Sequence, residues 1–168
     1  ISRSLRKVLR KQQFEIRFDT AFQQVIKACA DVRTEQGEGT WIIPEMQQAY
    51  TELHQDGFAH SVESWQDGKL AGGLYGISLG QCFFGESMFS TRNDSSKVAL
   101  AALAEFCREV GIKMIDCQMT TAHLLSLGAK EIRRELFLKK LKIHLEQPTL
   151  KGSWNSGSAS VKSNIFQN

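Results

Sequence analysis

Residues 60–89 read HSVESWQDGKLAGGLYGISLGQCFFGESMF, and they carry the strongest fold signal in the chain. Asp67-Gly68 is a typical hairpin turn between two apolar segments, and Gly80 marks a second turn. The stretch therefore predicts three consecutive antiparallel strands. Its third strand carries Glu86 within an apolar run, so we expect a carboxylate at the end of a buried strand.

Helices and strands are predicted on both sides of this stretch. Before it we expect a strand at 14–18, a helix capped by Asp19 or Thr20 that runs to about residue 31, and a helix from Pro44 to near Gly57. After it we expect a helix from Ser95 or Ser96 to Val110, a strand in KMIDCQM (113–119), a helical turn at 121–127, a strand in AKEIRR (129–134) and a helix at about 135–145.

This order of elements is that of the GCN5-related N-acetyltransferase (GNAT) fold. We therefore expect the fold class α+β, with a mixed, mostly antiparallel sheet flanked by helices and splayed where a central parallel pair of strands separates. We expect residues 1–146 to form this domain, with a basic helix at residues 1–12. Residues 147–168 are rich in serine, glycine and asparagine, which predicts a flexible or irregular tail.

Positive charge is concentrated at the beginning of the chain. The 168 residues carry a net charge of +3, but residues 1–17 hold six basic side chains and one acid, so the rest of the chain is slightly acidic. On a helix, one face would hold Arg3, Arg6, Lys7, Arg10 and Lys11. The two interpretations, a solvated face and a phosphate-binding strip, have about equal weight from spacing alone.

Cysteine and histidine spacing argues against a metal site. Cys29, Cys82, Cys107 and Cys117 form no C-x-x-C pair and lie in apolar surroundings, which predicts reduced thiols in a cytoplasmic protein. The four histidines are scattered, so we expect no metal. Apolar runs stay well below the ~20 residues that cross a bilayer, so we expect no membrane association.

The connection between the third strand and the long helix bears on the acyl donor. A coenzyme A-dependent enzyme of this fold needs glycines there, because backbone N–H groups must approach the pyrophosphate. STRNDSSK, residues 90–97, contains no glycine. We therefore expect a donor other than acetyl-CoA.

Several linked motifs resemble the bacterial leucyl/phenylalanyl-tRNA–protein transferases over about residues 1–145. They are ISRS (1–4), EGTWI (38–42), HSVESW (60–65), GGLYG (72–76), FFGESMFS (83–90), SK with AL (96–100), IDCQ (115–118) and SLGA (126–129). Members of that family carry a small N-terminal domain before the first motif. We expect this chain to lack it, either as a fragment or as a short form.

The resemblance implies a reaction without cofactors. A leucyl, phenylalanyl or methionyl group passes from aminoacyl-tRNA to the N-terminal amine of a protein that begins with Arg or Lys, and the product is marked for degradation. Two alternatives remain open: an acyl-CoA-dependent N-acetyltransferase and a non-catalytic tRNA-binding module.

Candidate catalytic residues lie on the predicted strand at 113–119. Positions i and i+2 share a face of a strand, so Asp116 and Gln118 would both face the crevice. The resemblance implies that Asp116 orients Gln118, whose amide oxygen meets the attacking amine. The alternatives are a proton relay through the tRNA ribose hydroxyl and a purely structural strand end.

Candidate binding residues fall into two groups. Adjacent strands and one helix could form an apolar cup for the donor side chain, with Glu86 at its edge to hold the donor ammonium or the basic side chain of the acceptor. The cup residues are Leu74, Phe83, Met88, Leu103 and Cys107; for each taken alone, a plain core position is favoured over a place in the cup. Trp41 could stack on the terminal adenine, with the basic helix on the acceptor stem; from the sequence alone, a core position for Trp41 has equal weight.

Overall fold

The computed structural model of the chain describes residues 3–35, 37 and 39–155, without the side chains of residues 3, 4 and 35. Its helices and strands follow the predicted order closely. They are α1 (Arg3–Arg10), β1 (Glu15–Phe18), α2 (Phe22–Glu35), α3 (Pro44–Gln55), β2 (Ala59–Gln66), β3 (Lys69–Leu79), β4 (Cys82–Ser90), α4 (Ser95–Val110), β5 (Met114–Asp116), α5 (Ala122–Ser126) and α6 (Arg134–Leu145).

The five described strands form one mixed sheet in the order β1-β2-β3-β4-β5. The first four pair antiparallel, and β5 pairs parallel with β4. Asp67 and Gly68 form the predicted two-residue turn, with φ of 52° and 72°, as the favoured hairpin turns require. Gly111 ends α4 with φ of 86°. Helices commonly end in this left-handed conformation, and glycine adopts it most readily.

Helices cover both faces of the sheet. On one face α1 and α4 enclose a cluster of buried apolar side chains that includes Leu5, Leu9 and Phe106. On the other face α2 and α3 enclose a second cluster, which includes Val25, Ile26 and Tyr75. The chain is therefore a three-layer α+β structure whose sheet is buried on both sides.

A β-bulge interrupts the pairing of β3 with β4. Tyr75 lies opposite Ser87 and Gly76 lies opposite Gly85, so Glu86 is the extra residue of β4. A side chain at Gly76 would clash with the Phe84 carbonyl and the Phe83 ring, so the bulge requires glycine there. Bulges redirect a side chain out of the alternating pattern of a strand, and this explains how a glutamate is placed within an apolar run.

HSVESW, residues 60–65, is a structural motif in β2. Glu63 is fully buried, and one of its carboxylate oxygens accepts hydrogen bonds from the backbone N–H groups of Thr20 and Ala21, at 3.0 and 2.9 Å. Ser61 Oγ donates to the same oxygen at 2.8 Å. The carboxylate thus binds the N–H groups ahead of α2, where a negative charge stabilises a helix.

Neither predicted residue caps α2 with its side chain: the Thr20 hydroxyl donates to Glu63, and Asp19 binds other residues of the core. Its side chain is fully buried and accepts hydrogen bonds from Ser61 N at 2.9 Å, His60 Nδ1 at 2.9 Å and Trp154 N at 2.7 Å. The Trp154 ring stacks on His60, with a centroid distance of 3.8 Å and an angle of 5°. Residues that follow α6 therefore pack into the same core; the predicted division at residue 146 stays a prediction.

The predicted strand at 129–134 is wrong. Residues 129–133 form neither helix nor strand, and Ile132 is 43% exposed. With Ala129 and Ile132 as its only apolar side chains, the segment buries too little surface to add a strand beyond β5. α6 begins at Arg134 and is held at its other end, where Gln81 N donates to the His144 carbonyl at 2.9 Å.

Candidate functional site

The sheet opens where β4 and β5 separate. Their pairing ends with Phe84 opposite Asp116, while β4 continues to Ser90. Glu86, the bulged residue, follows this point on one strand, and Gln118 follows it on the other. The splayed parallel pair expected from the sequence is present, and polar side chains of both strands converge at its opening.

Asp116 and Gln118 meet by a different geometry from the one predicted. β5 ends at Asp116, so the two residues do not share the face of a strand. Instead, Asp116 Oδ1 accepts a hydrogen bond from Gln118 N at 2.8 Å, and Gln118 has φ of 60°. A non-glycine residue in the left-handed region costs of order 1–3 kcal/mol and often marks a functional site. The Asp116 carboxylate holds this backbone conformation.

Glu86 links this pair to α3. Its Oε1 accepts a long hydrogen bond of 3.5 Å from Gln118 Nε2, and its carboxylate lies near the Tyr50 hydroxyl. Burial, followed by the charge and hydrogen bonding of Glu86, raises the pKa of Tyr50 well above its usual value. Because Gln118 presents its amide N–H groups to Glu86, its amide oxygen is directed away from Glu86 and can accept a hydrogen bond from another group.

The predicted donor-cup residues lie in one place. Leu74, Phe83, Leu103 and Cys107 belong to the core cluster between the sheet and α4, each at most 3% exposed, and Met88 packs against that cluster. Partly buried side chains at the edge of the same cluster include Leu100, Ile115 and Leu127, which the sequence analysis did not identify. Their signal was available: Ile115 precedes Asp116, and Leu100 lies one helical turn before Leu103.

Trp41 lies beside the polar opening. Its ring is 42% exposed and makes an edge-on contact with Tyr50, with a centroid distance of 6.1 Å. Tyr50 in turn contacts Glu86. The position suits a stacking platform, and that role stays a prediction.

The basic residues of α1 are exposed as a group. Arg6, Lys7, Arg10 and Lys11 face solvent, while Leu5 and Leu9 are buried against the cluster under α4. The side chain of Arg3 lies outside the described residues. The amphipathic face predicted from spacing is therefore confirmed for these residues, and it lies on the same side of the sheet as the donor cup.

The connection between β4 and α4 is largely exposed and is held by short-range side-chain hydrogen bonds. Asp94 occupies the N-cap position of α4 and pairs with Lys97 Nζ at 2.5 Å. Ser90 Oγ donates to the Arg92 carbonyl at 2.7 Å. The N-cap residue of α4 is thus an aspartate paired with Lys97, in place of a glycine whose backbone N–H could approach a pyrophosphate closely.

Two absences hold within the described ranges. No group of His, Cys, Asp and Glu side chains there could hold a metal ion. None of the helices described has the length and apolar character needed to cross a membrane.

The thiols are expected to be unreactive in the folded protein. Burial raises the pKa of Cys29 and Cys107 to about 12, so thiolate at pH 8 is on the order of 10⁻⁴ of each thiol. Burial, and then the charge of Asp116, raises the pKa of Cys82 and Cys117. We expect an aromatic disulfide reagent at pH 8 to label no buried thiol of the native protein and to label Cys117 slowly. In urea all four should react; rapid native labelling of Cys29 would contradict the buried arrangement.

Solved structures with the same architecture are acetyltransferases. An aminoglycoside acetyltransferase from an uncultured soil metagenomic sample, in complex with sisomicin, matches 73% of this chain and 93% of its own, with a TM-score of 0.56 and 15% identity. A possible acetyltransferase from Clostridium difficile 630 matches the same shares with a TM-score of 0.54 and 12% identity. The chain thus has the GNAT fold, as predicted.

Sequence comparisons are more specific. The family model for leucyl/phenylalanyl-tRNA protein transferase matches residues 1–142. The leucyl/phenylalanyl-tRNA–protein transferase of Desulfatibacillum aliphaticivorans is 59% identical over 155 residues, which cover 92% of this chain and 66% of the relative. The protein of the same name from Aromatoleum aromaticum is 58% identical over 166 residues, covering 99% and 70%. The chain belongs to the leucyl/phenylalanyl-tRNA–protein transferases, a family of aminoacyltransferases, and it spans about two thirds of the length of these relatives.

Proposed function

We propose that this protein transfers a leucyl, phenylalanyl or methionyl group from aminoacyl-tRNA to the N-terminal amine of proteins that begin with Arg or Lys. One observation carries the proposal: on a chain of this family, Glu86, Asp116 and Gln118 converge where β4 and β5 separate. The predicted cup residues belong to the core cluster between the sheet and α4, and the exposed basic face of α1 lies on the same side of the sheet. The product would carry a new apolar N-terminus that marks it for degradation, and the reaction would take place in the cytoplasm.

The chemistry is the aminolysis of an activated ester. The acceptor nitrogen attacks the ester carbonyl carbon, a C–N bond forms, and the C–O bond to the terminal ribose breaks. One proton leaves the attacking amine, and one is gained by the ribose oxygen. Alignment of the two reactants alone can supply roughly 7–11 kcal/mol of the barrier, so the protein needs no cofactor for this step.

Gln118 would receive the acceptor amine. Its amide oxygen points away from Glu86, and it can accept an N–H hydrogen bond that aims the nitrogen lone pair at the ester. Asp116 fixes Gln118 through the backbone. Since an amide is a weak base, the proton leaves the amine either through the Asp116–Gln118 pair or through the neighbouring ribose hydroxyl of the tRNA, before the leaving ribose oxygen gains it.

The donor would be selected by its side chain and held by its RNA. Met88 and the deeper apolar residues of the cup favour Leu, Phe or Met, and a pocket that discriminates one methylene gains only ~1–3 kcal/mol. Trp41 would stack on the terminal adenine, worth ~1–3 kcal/mol. Glu86 would bind the donor ammonium or the basic side chain of the acceptor.

A transfer assay tests this function directly. Radiolabelled leucine from leucyl-tRNA should appear on a peptide that begins with Arg, and far less on the same peptide beginning with Met. Labelling from acetyl-CoA instead would favour the N-acetyltransferase alternative. Salt-sensitive tRNA binding without transfer, and without preference for the aminoacylated form, would favour the tRNA-binding module.

The basic face of α1 is expected to set the salt dependence of tRNA binding. Lys7→Ala combined with Arg10→Ala removes two exposed charges, so the slope of log K against log salt should become shallower by about 1.5. Filter binding at several salt concentrations measures it. The matched control is Lys139→Ala with Lys140→Ala, two exposed charges on α6. Equal changes in both pairs would mean that α1 is not the contact.

A further inference from the structure

A second polar group lies on the other side of Glu86, between the sheet and α2. Tyr75 and Ser87 are opposite each other on β3 and β4, so their side chains share the face that α2 and α3 cover. Cys29 of α2 lies beside Ser87, and its thiol interacts with the serine hydroxyl. We call Cys29, Tyr50, Tyr75 and Ser87 the hydroxyl cluster.

Two hydroxyl groups of the hydroxyl cluster, those of Tyr75 and Ser87, lack a hydrogen-bond partner among the described residues. Tyr75 is completely buried, and both its hydroxyl and Ser87 Oγ are buried without a hydrogen-bond partner among the described residues. Cys29 is only a weak partner for the serine. A buried hydroxyl left without a partner costs stability, so such groups in a folded protein usually have an ordered water or a functional role.

The hydroxyl cluster is directly coupled to Glu86. The Tyr50 hydroxyl lies near that carboxylate, whose charge helps to raise the Tyr50 pKa, and the Tyr50 and Tyr75 rings meet edge-on, with centroids 5.2 Å apart. The pKa of Tyr75 is raised, mainly by burial and then by the nearby Cys29 and Tyr50. The charge of Glu86 raises it further, and the Arg33 cation opposes the shift. Glu86 therefore has Gln118 on one side and the hydroxyl cluster on the other.

We propose that the hydroxyl cluster encloses one ordered water molecule, which joins the Tyr75 and Ser87 hydroxyls to Tyr50 and Glu86, and that Tyr75 and Ser87 are positioning residues for Glu86. The water would have three or four polar partners, the number that buried waters usually have. A bulged strand leaves the Glu86 side chain few backbone constraints, and this network fixes its orientation toward Gln118. Neither residue touches the substrate.

The inference rests on the proposed function for its kinetic part, and Tyr75→Phe with Ser87→Ala provide the test. Each removes one hydroxyl and little volume. We expect each to lower kcat about fivefold to tenfold, as the loss of one hydrogen bond would, with KM for aminoacyl-tRNA changed less than twofold. Ser78→Ala is the matched control, because Ser78 Oγ is also buried with no hydrogen-bond partner in the described part of the chain but lies near the far end of β3; its kcat should be unchanged.

A double-mutant cycle separates positioning from mere packing. In a Glu86→Gln background, Tyr75→Phe should have no further effect on kcat, since residues that act through one another are not additive. Independent, multiplicative effects would overturn the proposal.

Thermal unfolding gives a readout that does not need activity. If the hydroxyl cluster holds the water, Tyr75→Phe lowers the melting temperature; if it is dry, removal of an unpaired hydroxyl raises it and refutes the proposal. A high-resolution crystal structure of the protein should show the water density. Loss of transfer in the unmodified protein would overturn the proposed function, whereas a dry hydroxyl cluster would overturn only this inference.

Discussion

Trp154→Ala is expected to lower the free energy of unfolding by about 3–5 kcal/mol, in the range for large aromatic core residues. Trp154 is 2% exposed and stacks on His60. Its ring also lies 4.5 Å from the Phe106 ring and 5.8 Å from the Phe83 ring, between centroids. Truncation would therefore leave a cavity between the last described segment of the chain and the centre of the core.

Urea unfolding measures this change, and two further variants sharpen it. Trp41→Ala is the control, because Trp41 is 42% exposed and its loss should cost less than about 1 kcal/mol. Trp154→Phe keeps an aromatic ring and should fall between the two. Equal losses for Trp41→Ala and Trp154→Ala would show that residues near 154 do not belong to the core.

Prolines, glycines and apolar periodicity predicted most of the fold. Pro44 does begin α3, Gly111 does end α4, and Asp67-Gly68 does form the hairpin turn. These residues act through local backbone conformation, which a sequence displays directly. The apolar segments of 60–89, separated by Asp67-Gly68 and Gly80, likewise predicted the three central strands.

Long-range polar contacts could not be predicted in the same way. Asp19 and Glu63 lie 44 positions apart, and a capping role for Asp19 was a sound local expectation. In the structure Glu63 binds the N–H groups ahead of α2, which frees Asp19 to bind His60 and Trp154. Which carboxylate caps a helix is decided by strand pairing, and a sequence does not show that pairing.

The same limit applies to the candidate site. Asp116 and Gln118 were identified from a motif, but the geometry that joins them depends on a left-handed residue that no local signal marks. Tyr50 was not identified, because its link to Glu86 needs the packing of α3 against a bulged strand. The site residues identified from motifs, Asp116 and Gln118, therefore lie close together in the structure. Tyr50, which supports them through Glu86, could be identified only once the fold was known.

Asp116→Ala is expected to lower kcat for aminoacyl transfer about 100-fold, at the lower end of what a group that assists proton transfer supplies. The change removes both the hydrogen bond that holds Gln118 N and the negative charge beside the site. KM for aminoacyl-tRNA should stay within about twofold. Single-turnover transfer of labelled leucine measures both. Asp31→Ala, which removes an exposed carboxylate on α2, is the control and should behave like the unmodified protein.

Two companion variants separate the functions of the carboxylate and of the backbone. Asp116→Asn keeps an oxygen that can accept a hydrogen bond from Gln118 N but loses the negative charge. A decrease in kcat of about tenfold for Asp116→Asn would mean that the rest of the ~100-fold loss in Asp116→Ala comes from backbone positioning.

Gln118→Gly removes the amide oxygen and also relieves the strain of the φ of 60°. It should raise stability by up to about 1 kcal/mol while transfer falls as in Asp116→Ala. A gain in stability with a loss of activity is the signature of strain held for function, whereas full activity in Gln118→Gly would show that its side chain has no part in the reaction.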